Sequence, residues 1–417
     1  MNLVEKILAR ESGRGQVAPG DVVVVDVERA LLHDLSARSC RKVFEEKVGG
    51  EITHPDRIAV VFDHQFSPAT EERAEILRAT RVFCRRYGIP VFDCGSGNIH
   101  QVAVQAGLIR PGALVVGSDS HSPVHGALGA FSASLGNDSY AATVMPFSRA
   151  WFRVPETIEI ELTGQTPSGT TARDVALWLT AQIGEGALNY QAVKFHGEYV
   201  QSLSFWDRWL LTLMAVDVGA KCVYIEPDQV TEDFARSVGV TDYEVVTDDP
   251  GTTFAASWSW DVSGLPPQIA APPTVGNVHP VTDYMGITVD WAELGGHGGG
   301  RLDDVLTAAR VLDGHPVYQY TNFNIVPGTR HIFAEALRLG AMATLHDNGA
   351  TWFPASTGAN QAVNMGAMSE GETMISTHVR NFPGRNGSPK SQMFLASALT
   401  VAASAVNGKI TDPREML

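Results

Sequence analysis

Three stretches carry side chains that can move protons: Asp63-His64, His100, and Asp119-Ser120-His121 inside the run Val115 to Gly126. A neutral imidazole relays protons near pH 7, and a carboxylate beside it fixes its tautomer and raises its basicity. Asp63-His64 and Asp119-Ser120-His121 both offer that pairing. Taken alone, the Asp119 stretch would also suit a turn whose Asp and Ser cap their own backbone. A second set is cationic. Arg380 and Arg385 lie five residues apart in a loop bearing Gly and Pro, a spacing suited to capture of carboxylates by two guanidiniums. The run Gly295-Gly296-His297-Gly298-Gly299-Gly300-Arg301 opens a predicted helix, where free backbone N–H groups and the helix dipole favour an anion. Together these sets describe a site for a small polycarboxylate with histidine acid/base chemistry beside it.

The elements that must position these residues read as α/β. Gly20 to Val27 is a β-rich run followed by a helical pattern from Ser36 to Glu46. Ile58 to Phe62 is a strand leading to Asp63-His64, with a helix from Thr70 to Tyr87 closed by Gly88. Val91-Phe92 leads towards His100, and Leu114 to Val116 ends at the Asp119 motif. Successive strand ends therefore feed one crevice, the usual place for ligands in open α/β sheets. Further on we expect a strand at 158–162, helices at 172–183 and 208–220, a Pro-rich linker over 264–273, and a strand at 287–289. Helices are also expected at 303–312, 330–339 and 390–406, with a functional loop over 348–364. The expected domains are 1–150, 151–280 and 281–417.

A chain of 417 residues, 44% of them apolar, is long enough for two or three cores. A net charge of −15 without a basic run argues against nucleic acid and anionic membrane as partners. The first residues lack the apolar core of a signal peptide and no stretch reads as a spanning helix, so a cytoplasmic location is expected. Cys40, Cys84, Cys94 and Cys222 are scattered, without a CxxC pair.

Over nearly its whole length the chain resembles the large subunit of the isopropylmalate and homoaconitate dehydratases, and more distantly aconitase. The landmarks, in the family's order, are Asp63-His64, Ile99-His100-Gln101, Gly117 to Pro123 for its DSHT, Val326-Pro327-Gly328-Thr329, and Arg380-Asn381-Phe382-Pro383-Gly384-Arg385 for its RNFxGR. The resemblance implies three α/β/α domains around a central cleft, without the swivelling fourth domain, which in the dehydratases is a separate small subunit. It implies dehydration and rehydration, or double-bond isomerisation, of a small hydroxy or unsaturated di- or tricarboxylate. It assigns proton handling to Asp63, His64, His100, Asp119 and His121, and substrate binding to Arg380 and Arg385, with Ser122 and Arg301 as further candidates. A small partner subunit is expected.

The departures are as informative. The family holds a [4Fe–4S] cluster through one cysteine of a GSCTN loop and two of a CxxC. Here those positions fall on His297, Thr357 and Asn360, and two nearby family asparagines fall on Leu213 and Val379. Iron–sulfur chemistry needs thiolates, so no cluster is expected. A divalent metal held by His297 with a neighbouring histidine or carboxylate would be one replacement, and histidine general acid catalysis of an easier step the other. A catalytically silent, carboxylate-binding or regulatory relative is the alternative reading.

Overall fold

The computed structural model describes residues 1–417 and is built on three mostly parallel sheets with helices packed on them. The first has the order Val91–Phe92, Ile58–Val61, Arg29–His33, Leu114–Gly117, Phe131–Ser134, all parallel. Ile58–Val61 and Leu114–Gly117 are buried along their whole length, as strands covered on both faces must be. From the central strand Arg29–His33 the chain first builds outwards through Ile58–Val61 and Val91–Phe92. It then crosses to Leu114–Gly117 on the other side, so the order reverses between Arg29–His33 and Leu114–Gly117.

The second sheet has the order Cys222–Tyr224, Ala192–His196, Thr157–Thr163, Ala256–Asp261. The third runs Val278–Pro280, Gln268–Ala270, Gln392–Ala396, Thr373–Ser376, Trp291–Leu294, Asn322–Ile325, Thr351–Trp352, parallel except where Gln268–Ala270 meets its two neighbours. Here too the order reverses, between Trp291–Leu294 and Thr373–Ser376, with Asn322–Ile325 on one side and Gln392–Ala396 on the other. Ligand crevices open at the carboxyl ends of strands where the order reverses. The two reversals face each other across the molecule, and the residues that follow their strands meet there.

Several helices begin and end where their caps predict. Thr70 accepts from Arg73 N and Gly88 closes the helix Glu71–Tyr87 with φ +73, while Thr171 and Asp174 form the capping box of Ala172–Ile183. Other expectations need correction. The β-rich run over 20–27 gives only Val22–Asp26, an antiparallel partner of Arg149–Arg153 in a separate ribbon; the strand that matters is Arg29–His33. The helix expected over 208–220 is Phe205–Met214, and the strand expected at 287–289 lies at Trp291–Leu294. The Pro-rich stretch contains the strand Gln268–Ala270, and 390–406 divides into the strand Gln392–Ala396 and the helix Ala398–Asn407. For the strands, sheet pairing overrode a local pattern, whereas the helix Phe205–Met214 is set by its Ser204 cap. No helix is long and apolar enough to cross a membrane.

Candidate active site

Six histidines form a continuous buried group where the two reversals meet. The ring of His297 lies 5.5 Å from that of His64, 5.1 Å from His100 and 5.6 Å from His121, between centroids. His33 stands 4.9 Å from His64, and His125 stands 5.5 Å from His100. The first sheet supplies His33 and His64 just at or beyond its strand ends. His100 is not on a strand end: it is the second residue of the helix Ile99–Gln105, capped by Asn98, whose side chain accepts from Gln101 N. His121 and His125 come from the loop and turn after Leu114–Gly117, and His297 from the glycine loop after Trp291–Leu294. Gly300 in that loop has φ +72, and a Cβ there would collide with Val326 O, so glycine is what lets the loop approach.

Carboxylates knit the group together. His64 Nδ1 lies 2.7 Å from Asp63 Oδ1 and 3.4 Å from Asp34 Oδ1. Asp63 Oδ2 accepts from Ile99 N at 3.0 Å, and Asp34 accepts from the amides of His64 and Gln65. Burial opposes a charged ring at His64, but Asp63 and Asp34 outweigh it and raise its pKa to about 10. Asp119 accepts from His121 N at 2.8 Å and pairs with His100 Nε2 at 3.0 Å. Its burial favours the neutral acid, yet the surrounding imidazoles hold it well below the ordinary carboxylate range. Burial pushes His121 down to about 3 against the pull of Asp119, and its Nε2 has no partner.

Above this floor lies the arginine loop. Arg385 Nη2 donates to Asn360 Oδ1, whose Nδ2 lies 3.2 Å from His64 Nε2. Burial and the Arg380 charge bring Arg385 down to about 10, and no carboxylate pairs with it. Arg380 donates to Ser120 Oγ at 3.2 Å and lies 3.6 Å from the buried Asp217. Ser120 Oγ is 3.3 Å from His121 Nδ1, so one hydroxyl joins the guanidinium to the imidazole. Ser122 turns away from this space: its hydroxyl donates to Asp119 O and its carbonyl accepts from Ser132, so it shapes the loop. Arg301 is likewise committed elsewhere. It pairs with Asp304 at 2.7 Å and Asp207 at 3.2 Å, donates to Trp206 O, and lines a separate cavity of about 720 Å3 with Thr166 and Tyr199.

The positions where the resemblance expects cluster ligands hold other chemistry. Thr357 Oγ1 donates to Asp63 O at 3.1 Å, Asn360 bridges His64 and Arg385, and Leu213 and Val379 belong to one buried apolar core. The four thiols lie apart from one another, Cys40 against Asn137, Cys94 against Gln65 O, and Cys84 and Cys222 within an apolar core. A donor set of imidazoles, carboxylates, an amide and a hydroxyl does not fit a [4Fe–4S] cluster.

Five participants escaped sequence reasoning. His33-Asp34 repeats the strand-end pairing of Asp63-His64 in reverse order, and that dipeptide was the available signal. Asp217 carried no local signal. Glu293 and His378 pair at 2.6 Å behind the glycine loop, where Gly296 backs onto the His378 ring and Glu293 also accepts from Ala359 N. A charge inside the otherwise apolar strand Trp291–Leu294 marked Glu293.

The aconitase family model, described as aconitate hydratase, matches residues 5–408. The chain is 39% identical over 416 residues to the 3-isopropylmalate dehydratase large subunit 1 of Methanopyrus kandleri, covering 100% of this chain and 99% of that protein. It is 34% identical over 424 residues to the 3-isopropylmalate dehydratase large subunit of Aquifex aeolicus, covering 100% and 98%. It is 36% identical over 420 residues to a probable methanogen homoaconitase large subunit of Methanothermobacter thermautotrophicus, again covering 100% and 98%. Among solved structures, the holo-form of Thermococcus kodakaraensis aconitase X aligns with a TM-score of 0.52 at 14% identity, over 92% of this chain and 90% of that one.

Proposed function

The chain belongs to the aconitase family, and we propose that it is a cluster-independent hydro-lyase or isomerase acting on a small hydroxy or unsaturated di- or tricarboxylate. The observation that carries this reading is the chain Arg385–Asn360–His64: a guanidinium with no carboxylate of its own, tied through one amide to a buried imidazole. Arg385 and Arg380 hold each other's charge unfavourably, and a bound dicarboxylate relieves both. The substrate thereby lies over His64 and His121.

In the dehydration direction, His121 Nε2 takes the proton from the carbon next to a carboxylate. Burial is the main cause of its low basicity and the Arg380 charge adds to it; a substrate carboxylate beside Arg380 removes that added part. His64, kept protonated by Asp63 and Asp34, delivers a proton to the departing hydroxyl, so that water leaves as the double bond forms. That proton has nowhere comfortable to sit: the Asn360 amide turns its NH2 group, not its oxygen, towards His64 Nε2. The carboxylates charge the ring and the amide disfavours it, a combination suited to proton donation. His100 and Asp119 hold the floor of the site in register.

The relatives' description as large subunits supports a small partner subunit, and the exposed Phe382 of the arginine loop is surface it would cover. The test is a panel of malate-, citrate- and aconitate-like acids, incubated in heavy water with this chain alone and with a small-subunit partner. Deuterium uptake at carbon supports the reading. Tight carboxylate binding without any uptake would instead identify a silent, regulatory relative.

A further inference from the structure

We propose that His100, Asp119 and His297 form a binding site for a single divalent transition-metal ion. What such an ion does rests on the hydro-lyase reading, whereas its binding does not. The ligand atoms of the three side chains lie within 4.8 Å of one another, a spread that a small movement closes to a coordination shell. His100 and His297 are buried at 0% and 2% exposure, and Asp119 at 8%. The three come from separate parts of the fold: the helix Ile99–Gln105, the loop after Leu114–Gly117 and the glycine loop after Trp291–Leu294. Their convergence is therefore a tertiary product.

The second observation is unpaired polarity. Neither ring nitrogen of His297 has a hydrogen-bond partner. A buried polar atom left alone is costly, so such atoms persist where something collects them. His100 Nε2 and Asp119 Oδ1, 3.0 Å apart, now share one hydrogen. A metal ion takes the place of that proton and releases it to solvent. The surroundings orient the carboxylate: His121 N holds Asp119 Oδ1 at 2.8 Å.

A neighbouring group, His33, Asp34, Asp63 and His64, is equally compact but already spent. Asp34 caps two backbone amides, Asp63 takes Ile99 N and His64 Nδ1, and His33 Nε2 pairs with Ser36 Oγ at 2.8 Å. With those atoms already engaged, it is the less suited of the two groups to take an ion. Two imidazoles and one carboxylate suit Zn2+, Fe2+, Co2+ or Mn2+ with positions left open. A bound ion supplies a Lewis acid for a hydroxyl or carboxylate oxygen of the substrate.

The test is titration of the metal-stripped full-length chain with Co2+, followed by its visible absorption and by elemental analysis after dialysis. One ion per chain is expected. Loss of a direct ligand should exceed what loss of a supporting residue costs, so His297→Ala and His100→Ala should each weaken binding by more than about 100-fold. His297→Gln serves if the alanine variant fails to fold, as judged by circular dichroism. Arg385→Lys should bind Co2+ like the parent chain. No stoichiometric ion on the parent chain, or undiminished binding by the folded His297 variants, would overturn the proposal. Full Co2+ binding with no turnover of any acid would leave the metal site standing and remove the hydro-lyase reading alone.

Discussion

The side-chain amide of Asn360 lies 3.2 Å from Nε2 of His64, with its oxygen held by Arg385. Asn360 falls where the family resemblance expects a cluster cysteine, and it joins the proposed carboxylate anchor to the proposed acid. A polar relay thus occupies ground that a thiolate would otherwise hold. His64 is charged by the carboxylates on its Nδ1 side and faces an N–H donor on the other.

Replacing Arg385 by Lys keeps the charge and loses the planar fork. Charge-assisted contacts to guanidinium are worth about 1.5–3 kcal/mol, so KM for a dicarboxylate should rise about 10- to 100-fold. The parallel change at Arg380 should also disturb Ser120 and, through it, His121. Steady-state kinetics of both variants should show KM raised and kcat lowered, the latter through Asn360 and His64 for Arg385→Lys and through Ser120 and His121 for Arg380→Lys.

The pH dependence follows from His64. Its pKa is raised in the folded chain, to about 10, by Asp63 and Asp34 acting against burial. A donor in that state stays active through neutrality, and the rate falls as pH rises towards that value. Asp63→Asn removes the nearest counter-charge, so the falling limb should move down towards the ordinary histidine value near 6.5. The same linkage makes the His64 contribution to stability complete below about pH 6.5 and lost as pH rises through the folded value. His64→Gln should lower kcat by about 100- to 10,000-fold, the usual worth of a general acid. A pH–rate profile of the three proteins reads the kinetic limbs, and thermal unfolding followed across the same pH range reads the stability term.

Arg301 provides the contrasting case. Its guanidinium is paired with Asp304 and Asp207, and Arg301→Ala strands the buried Asp304 carboxylate and frees the partly exposed Asp207. The loss is on the order of 3 kcal/mol, enough to lower the melting temperature by several degrees. KM for the substrate should stay at the parent value. Calorimetry beside kinetics checks this, and a large rise in KM would return Arg301 to the substrate site.

Much of this site was legible before any coordinates. Asp63-His64, His100 and Asp119-Ser120-His121 were singled out from residue type and spacing and His297 from the family resemblance, and the structure brings all of them together. Arg380 and Arg385 stand beside them. Other parts were hidden for physical reasons. Arg29–His33 is short and begins with a charged residue, so the more apolar Val22–Val27 run masked it, and with it His33 and Asp34. Arg301 looked like an anion ligand because a glycine run before a helix is a frequent anion site. Its partners, Asp304 one turn along its own helix and Asp207 on a remote element, decided otherwise. Asp217 becomes relevant only through the packing of the turn after Phe205–Met214 against the arginine loop. The strand Gln268–Ala270 was masked by the prolines around it, since its place depends on pairing with Gln392–Ala396, more than a hundred residues later.

The most direct measurement is deuterium exchange from heavy water into a malate-type dicarboxylate, on one protein sample assayed in parallel for iron and acid-labile sulfide. The account predicts exchange that depends on Arg385 and His64 and proceeds with no labile sulfide present. Exchange that appears only after iron and sulfide are reconstituted into the protein, and rises with the sulfide bound, would contradict it.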